Sequence, residues 1–240
     1  ALRAYLKITD APATKAAPAP LLKPKRGSTV MIGAAPAMQK AFAAIAQACG
    51  TRVPLLITGA SGTGRSLAAR VISSDRAPGG PFVPFRIDEW PSVARQAPGL
   101  RQAVGGTLFI SDIAALPLPQ QAALEQTLKD AEGDVPLIVA ATSHDLAALV
   151  REDRFRADLY YRLKIVEVSL PQLTARTGDI PALAAFFLSQ TTAGSREITL
   201  SDHALAALKA HDWPGNVREL RNAMQHAAAV CTGPLVLRRH

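Results

Sequence analysis

Gly59-Ala60-Ser61-Gly62-Thr63-Gly64-Arg65-Ser66 decides how this chain of 240 residues is read. The segment follows an apolar run over residues 53–58 and opens a helical pattern over residues 66–73, the strand-to-helix context that a phosphate loop requires. Its glycines permit a tight turn whose N–H groups point inward at an anion, and the dipole of the following helix adds favourable potential there. Ser66 supplies the hydroxyl that such a loop offers to a magnesium ion. Where Lys ordinarily reaches the β and γ phosphates stands Arg65. A guanidinium still pairs with phosphate, but it is planar and bulkier than an ammonium and fits a transferring group less well. The competing reading is a Gly-rich turn that holds no ligand.

Outward from the loop, strands and helices alternate. Residues 107–110 and 137–141 read as two further buried strands, and continuous apolar strands separated by helices predict an α/β fold with a parallel sheet covered on both faces. Order is expected to begin near Thr29, where Val30-Met31-Ile32-Gly33 precedes a helical pattern over residues 36–49 with Met38, Phe42 and Ile45 on one face. Past Pro171 the pattern is purely helical: residues 180–190, residues 201–211 with Ser201 as N-cap, and residues 216–230. The expected organisation is the end of a preceding domain and a Pro/Ala/Lys linker over residues 1–28, an α/β nucleotide-binding subdomain over 29–171, and a small helical lid over 172–240. Ala1 at one end and Leu237-Arg238-Arg239-His240 at the other read as interruptions of a longer protein.

Composition narrows the class. A hydrophobic content of 48% with 5% aromatics means a core of Ala, Leu, Val and Ile, which excludes a fibre or a disulfide scaffold. Cys49 and Cys231 lie far apart without metal-ligand spacing and read as buried thiols of a reducing compartment. No apolar run reaches the roughly 18 residues needed to cross a bilayer, and no charged-then-apolar leader opens the chain, so a cytoplasmic protein without a membrane partner is expected. Of the net charge of +8, residues 1–30 hold +5, from Arg3, Lys7, Lys15, Lys23, Lys25 and Arg26 against Asp10. A basic tail of this kind reads as a solvated linker before it reads as a nucleic-acid surface.

A second chemical element is Gly105-Gly106-Thr107-Leu108-Phe109-Ile110-Ser111-Asp112, where an apolar strand should end in two acids. The first would hold magnesium and the second would polarise the attacking water. Ser111, without charge, takes the first place, and Asp112, one methylene shorter than Glu, takes the second. Sliding the register to make Asp112 the metal acid would turn its side chain to the opposite strand face, so that assignment is rejected.

Five segments in order now carry a family resemblance: Val30-Met31-Ile32-Gly33-Ala34-Ala35-Pro36-Ala37-Met38, the phosphate loop, the strand that begins Gly105-Gly106-Thr107-Leu108-Phe109, Phe155-Arg156-Ala157-Asp158-Leu159-Tyr160-Tyr161-Arg162-Leu163, and Trp213-Pro214-Gly215-Asn216-Val217-Arg218-Glu219-Leu220. Together they resemble the central AAA+ domain of sigma-54-dependent transcription activators, the NtrC-like enhancer-binding proteins, over about residues 30–230. The resemblance implies an AAA+ P-loop domain followed by a helical lid, with ATP or ADP and Mg2+ as its cofactors. It implies that Arg156 and Arg162 reach from one protomer toward the neighbour's γ-phosphate, where a cation stabilises developing charge. Arg218 would sense the nucleotide bound to its own protomer, and Ile32 and Gly33 would sit near the adenine. In Thr142-Ser143-His144, Ser143 takes a sensor position at which the family usually has Asn, with a shorter reach and no amide. Taken alone, Tyr160 and Tyr161 read as packing residues, and Arg156 and Arg162 as ordinary partners of Asp153 or Asp158. Trp213-Pro214-Gly215 sets a turn between lid helices on either reading.

The family's sigma-54-gripping loop, GAFTGA, belongs between the phosphate loop and the second strand. Residues 81–105 contain instead Asp88-Glu89-Trp90-Pro91-Ser92-Val93 and a short Arg/Gln segment. A second hairpin is also shortened: Lys129-Asp130-Ala131-Glu132-Gly133-Asp134 leads almost directly to Val135-Pro136-Leu137. The expectation is a regulatory AAA+ domain that binds ATP or ADP with weak or no hydrolysis, self-associates, and does not remodel sigma-54 polymerase. It would act through DNA by way of a domain outside this segment, or on another form of RNA polymerase. The family usually carries a DNA-binding domain after the lid and often a receiver domain before it. The alternatives are an active ATPase that tolerates the substitutions, and a nucleotide-independent scaffold. A helix-turn-helix formed by the lid helices is opposed by the Trp-Pro-Gly turn and by Asp202, Asp212 and Glu219.

Overall fold

The computed structural model describes residues 21–22, 30–51, 53–85, 101–129, 136–191, 199–231 and 235–236. The Trp90 segment, the shortened hairpin at residues 130–135 and the four C-terminal residues lie outside the described residues. Five parallel strands form the central sheet: β3 (Leu55–Thr58), β4 (Phe82–Phe85), β5 (Thr107–Ile110), β6 (Leu137–Thr142) and β7 (Val166–Ser169), in the order β4-β5-β6-β3-β7. β3, which feeds the phosphate loop, pairs Leu55 with Val139 on one side and with Val166 on the other.

Successive residues of a strand point to opposite faces, so each inner strand supplies two layers at once. Leu56, Leu108, Ile110, Ile138 and Ala140 pack in one layer with Ile113, Leu124, Leu159 and Leu163. Leu55, Ile57, Phe109, Val139 and Ala141 pack in the other with Met38, Ile45, Val71 and Ile72. Burial on both faces is why the inner strands read as unbroken apolar runs. The edges did not read that way. Phe82-Val83-Pro84-Phe85 holds a proline that only an edge tolerates, and Val166-Glu167-Val168-Ser169 alternates buried and exposed positions.

Helix α1 (Pro36–Cys49) begins with proline at its first turn and buries Met38, Phe42 and Ile45. Helix α2 (Arg65–Arg76) follows the phosphate loop. Three helices that the sequence pattern did not single out complete the covering layers: α3 (Leu118–Lys129), α4 (Leu146–Arg151) and α5 (Ala157–Leu163). The lid consists of α6 (Ile180–Thr191), α7 (Asp202–Ala210) and α8 (Asn216–Val230), with the Ser201 hydroxyl accepting from the Ala204 N–H at 3.2 Å as the expected N-cap. Its core, including Leu173, Ile180, Leu188, Trp213, Leu220 and Met224, also takes in Ile32 from the base.

Two short pairings were not legible in the pattern. Strand β1 (Leu21–Leu22) pairs antiparallel with β2 (Met31–Ile32), so paired backbone begins ahead of Thr29. In the lid, β8 (Thr199–Leu200) pairs parallel with β9 (Leu235–Val236), adding a two-stranded element to the helices. Two residues are too few to show a period of two. No described helix is long and apolar enough to cross a membrane.

Ile57, fully buried at the centre of the sheet, has no room to relax. Ile57→Ala is expected to lower unfolding free energy by about 3 kcal/mol, read from urea denaturation followed by circular dichroism.

Candidate nucleotide-binding site

Three glycines shape the phosphate loop. Gly59, Gly62 and Gly64 adopt φ of 153°, 79° and 109°, the last as the residue that opens α2. The Gly59 N–H donates to the Thr142 carbonyl at 3.2 Å, which ties the loop to β6, and the Thr63 hydroxyl donates to the Ala60 carbonyl at 2.8 Å. No side chain caps α2. Among the described residues, the N–H groups of Gly62, Gly64, Arg65 and Ser66 make no hydrogen bond. Unpaired donors at a helix start are what an anion needs.

The loop's carbonyls are treated differently, because the lid side takes them. The Asn216 amide donates to Ser61 O at 2.9 Å, the Arg218 N–H to Gly62 O at 3.3 Å, and Arg176 Nη2 to Thr63 O at 3.1 Å. Contact is so close that a Cβ on Gly62 would stand 2.0 Å from the Gly215 carbonyl oxygen. The Arg218 guanidinium itself lies 3.4 Å from the Ser61 hydroxyl, on the expected lid side of the loop.

Arg65 Nη1 and Asp112 Oδ1 are both buried and both without a hydrogen bond. Burial lowers the proton affinity of the Arg65 guanidinium, the Asp112 charge opposes that, and Arg218 adds to it. Asp112 lies near enough to the loop for its charge to act on Arg65, with His144 Nδ1 3.9 Å from its Oδ1, whereas Ser111 is exposed and carries no charge. Ser143 is also exposed, while the Thr142 hydroxyl beside it accepts from the His144 N–H at 3.0 Å. Free N–H groups and an unpaired guanidinium fit a polyphosphate. For magnesium, the Ser66 hydroxyl and the Asp112 carboxylate are a sparse donor set, suited to an ion held mainly by phosphates and water.

Two residues at the site escaped the sequence pattern. Arg176 and Asp179 are buried in the 3-10 segment Leu173–Asp179 that enters the lid. Asp179 Oδ1 accepts from the N–H groups of Ala34 at 2.6 Å and Ala35 at 2.9 Å, so it fixes the turn after Ile32 and Gly33. Burial lowers the proton affinity of Arg176, which the Asp179 charge partly offsets. They stand in the run Thr174-Ala175-Arg176-Thr177-Gly178-Asp179, which has no apolar period to signal burial, and charged groups are rarely buried without partners. Gly33 itself is pressed against α1, where a Cβ would meet Met38 Cγ at 2.2 Å.

Arg156 and Arg162 lie on a different side. Arg156 Nε pairs with Glu125 Oε2 at 2.9 Å, and its N–H donates to Gln121 Oε1 at 2.8 Å; its acidic partner is Glu125, not Asp153 or Asp158. Arg162 makes no hydrogen bond or ion pair among the described residues and lines an open recess of about 440 Å3 with Lys129, Asp158, Tyr161 and Ile165. Tyr161 is 70% exposed and is no packing residue, whereas Tyr160 is buried. Tyr160 and Lys164 stand on the opposite face of the turn from Arg162 and line a cleft of about 370 Å3 beside Gly59, Ala60 and Ser143. Arg162 thus points away from the loop of its own chain.

Residues 32–173 match the family described as the sigma-54 interaction domain, and residues 174–240 match the AAA+ ATPase lid domain. The chain belongs to the sigma-54 interaction domain family. The DNA-binding transcriptional regulator NtrC of Azospirillum brasilense is 37% identical over 230 residues, which cover 83% of this chain and 48% of that protein. The crystal structure of NtrX from Brucella abortus in complex with ATP superposes with a TM-score of 0.78 at 30% identity, over 87% of this chain and 53% of that one. The ADP complex of the same NtrX gives 0.76 at 30% identity, over 88% and 55%. This sigma-54 interaction domain therefore spans about half the length of the relatives it matches.

Glu125, buried against these charges, titrates below the usual carboxylate range, through the Lys129 ammonium first and Arg156 further, against the cost of its burial. The stability it contributes is present above an unfolded carboxylate pKa of about 4.3 and is lost as pH falls through the lower folded value. Urea midpoints between about pH 6 and about pH 3 are expected to fall less steeply for Glu125→Gln than for the parent protein.

Proposed function

We propose that this domain binds ATP or ADP, hydrolyses ATP weakly or not at all, and does not remodel sigma-54 polymerase. The observation that carries the reading is the pairing of free loop N–H groups with a depleted catalytic set: a half-buried Arg65 whose shielded Nη1 makes no hydrogen bond where a lysine belongs, Asp112 as the carboxylate whose charge acts on it, and an exposed Ser111. Binding needs the donors, whereas hydrolysis also needs metal placement and an oriented water. Parts that act as a unit are seldom replaced by what remains. The superposition on an NtrX that was crystallised with ATP and with ADP supports an adenine nucleotide as the ligand.

Bound nucleotide would rest its phosphates on Gly59, Ala60, Ser61, Gly62, Thr63 and Gly64, with Arg65 toward the terminal phosphates and Ser66 toward Mg2+. Its base would lie at the seam near Ile32 and Gly33, with Ser143 at the sensor position and Arg218 reaching from the lid. Asp112 would be the residue nearest the attacking water. Arg162, turned away from its own loop, and Arg156, held by Glu125, would serve a neighbouring copy, so self-association belongs to the proposal. The absence of GAFTGA from residues 81–105 is the reason that sigma-54 remodelling is left out. A cytoplasmic regulator of this kind would act through DNA by a domain outside this chain, or on RNA polymerase in another form.

The test compares Mg-ATP binding by calorimetry and steady phosphate release for the parent and for Arg65→Lys, Ser111→Asp, Asp112→Glu combined. Binding by both is expected, with release at least about tenfold faster in the repaired protein, equivalent to about 1.4 kcal/mol of barrier. Equal release by both, abolished in the parent by Arg162→Ala, would establish the active ATPase instead. No binding by either would leave the nucleotide-independent scaffold.

A further inference from the structure

The turn that joins the last two lid helices is strained where it meets the phosphate loop. Trp213 and Asn216 adopt φ of 45° and 52°, the left-handed region that side-chain-bearing residues rarely visit. Each is buried and held. The Trp213 indole N–H donates to the Leu208 carbonyl at 2.7 Å, and Asn216 is 3% exposed. The Asn216 side chain spans two elements: its amide nitrogen donates to Ser61 O at 2.9 Å, and its oxygen accepts from the Leu173 N–H at 2.8 Å. Leu173 opens the segment by which the chain enters the lid, and Arg176 of that segment holds Thr63 O.

A peptide unit is planar and trans, so its C=O and the next residue's N–H point in opposite directions. Asn216 holds the carbonyl of the Ser61–Gly62 peptide, whose N–H is one of the free donors; Arg176 holds the carbonyl of the Thr63–Gly64 peptide, whose N–H is another. An anion that engages those N–H groups therefore fixes the orientation of the same carbonyls that the lid grips.

We infer that Asn216 is a positioning residue that couples occupancy of the phosphate loop to order in the lid. Phosphate on the Gly62 N–H locks the Ser61 carbonyl onto the Asn216 amide. The amide then holds the strained turn from Trp213 to Asn216 against Gly62. This coupling rests on the nucleotide-binding reading above. Coupling is reciprocal, so whatever ADP adds to lid order, lid order adds to ADP affinity.

The experiment uses the full chain with Mg-ADP, calorimetry for binding, and hydrogen exchange of amides in residues 213–224 for lid order. In the parent, Mg-ADP is expected to slow that exchange about tenfold. Asn216→Asp keeps an oxygen for the Leu173 N–H but replaces the donor facing Ser61 O with an acceptor. It is expected to lose the slowing and to bind Mg-ADP about tenfold more weakly. Asn216→Gly keeps the left-handed backbone, removes both bonds and is expected to behave the same way. Parental affinity together with parental slowing in either folded variant overturns the coupling while leaving nucleotide binding intact. A parent that binds no Mg-ADP overturns both readings. Loss of folding in both variants, seen by circular dichroism, also overturns it, because the amide would then hold the fold and not link two sites.

Discussion

Every backbone group of the loop between β3 and α2 has to be satisfied, and the rigid peptide plane forces its two ends to opposite partners. The carbonyls of Ser61, Gly62 and Thr63 are taken by Asn216, Arg218 and Arg176. In the first and third of those planes the N–H groups, of Gly62 and Gly64, stay unspent and aimed the other way, while the Thr63 N–H of the second turns back to the Ala60 carbonyl. The lid is thus a structural necessity of the loop before it is a sensor of anything. Without lid contacts, the loop would expose unpaired groups on both sides, and three glycines would give it little reason to hold one shape. The direct contact of Gly62 with Gly215 leaves no room for a side chain on the first and makes the two halves one packed unit.

Charge is distributed in two pairs along this seam. Arg65 and Asp112 act on one another at the loop, each with a buried atom that finds no hydrogen bond among the described residues. Arg176 with Asp179 lies beneath it, with each residue bonded to backbone: Thr63 O in one case, the Ala34 and Ala35 N–H groups in the other. The first pair is incompletely satisfied and therefore receptive. The second is mostly committed, and fixes the turn beside Gly33 to the loop through the passage into the lid. Burying such groups costs free energy that only fixed partners repay. The passage is kinked at Arg176 itself, where the backbone leaves the helical region at φ −141° and ψ 43°. Gln121 and Glu125 do comparable work elsewhere, where they hold Arg156.

The sequence by itself determined the local chemistry. Glycines at 59, 62 and 64 after an apolar strand specify a phosphate loop because few other residues tolerate such a turn; Pro36 and Ser201 mark helix starts because of their own backbone and hydroxyl; unbroken apolar runs specify strands buried on both faces. Strands at the edges were harder, since one exposed face and a proline remove the apolar run that identifies a buried strand. The missing lysine and the missing first acid were legible in the same way, as the wrong residue at a position whose geometry is set by its neighbours. What only the tertiary structure decided is which distant groups meet. Asn216 reaches Ser61 across 155 residues, Arg176 reaches Thr63 across 113, and Asp179 reaches Ala34 across 145. No period or propensity encodes those meetings, because they depend on how the sheet, the entering segment and the lid pack together.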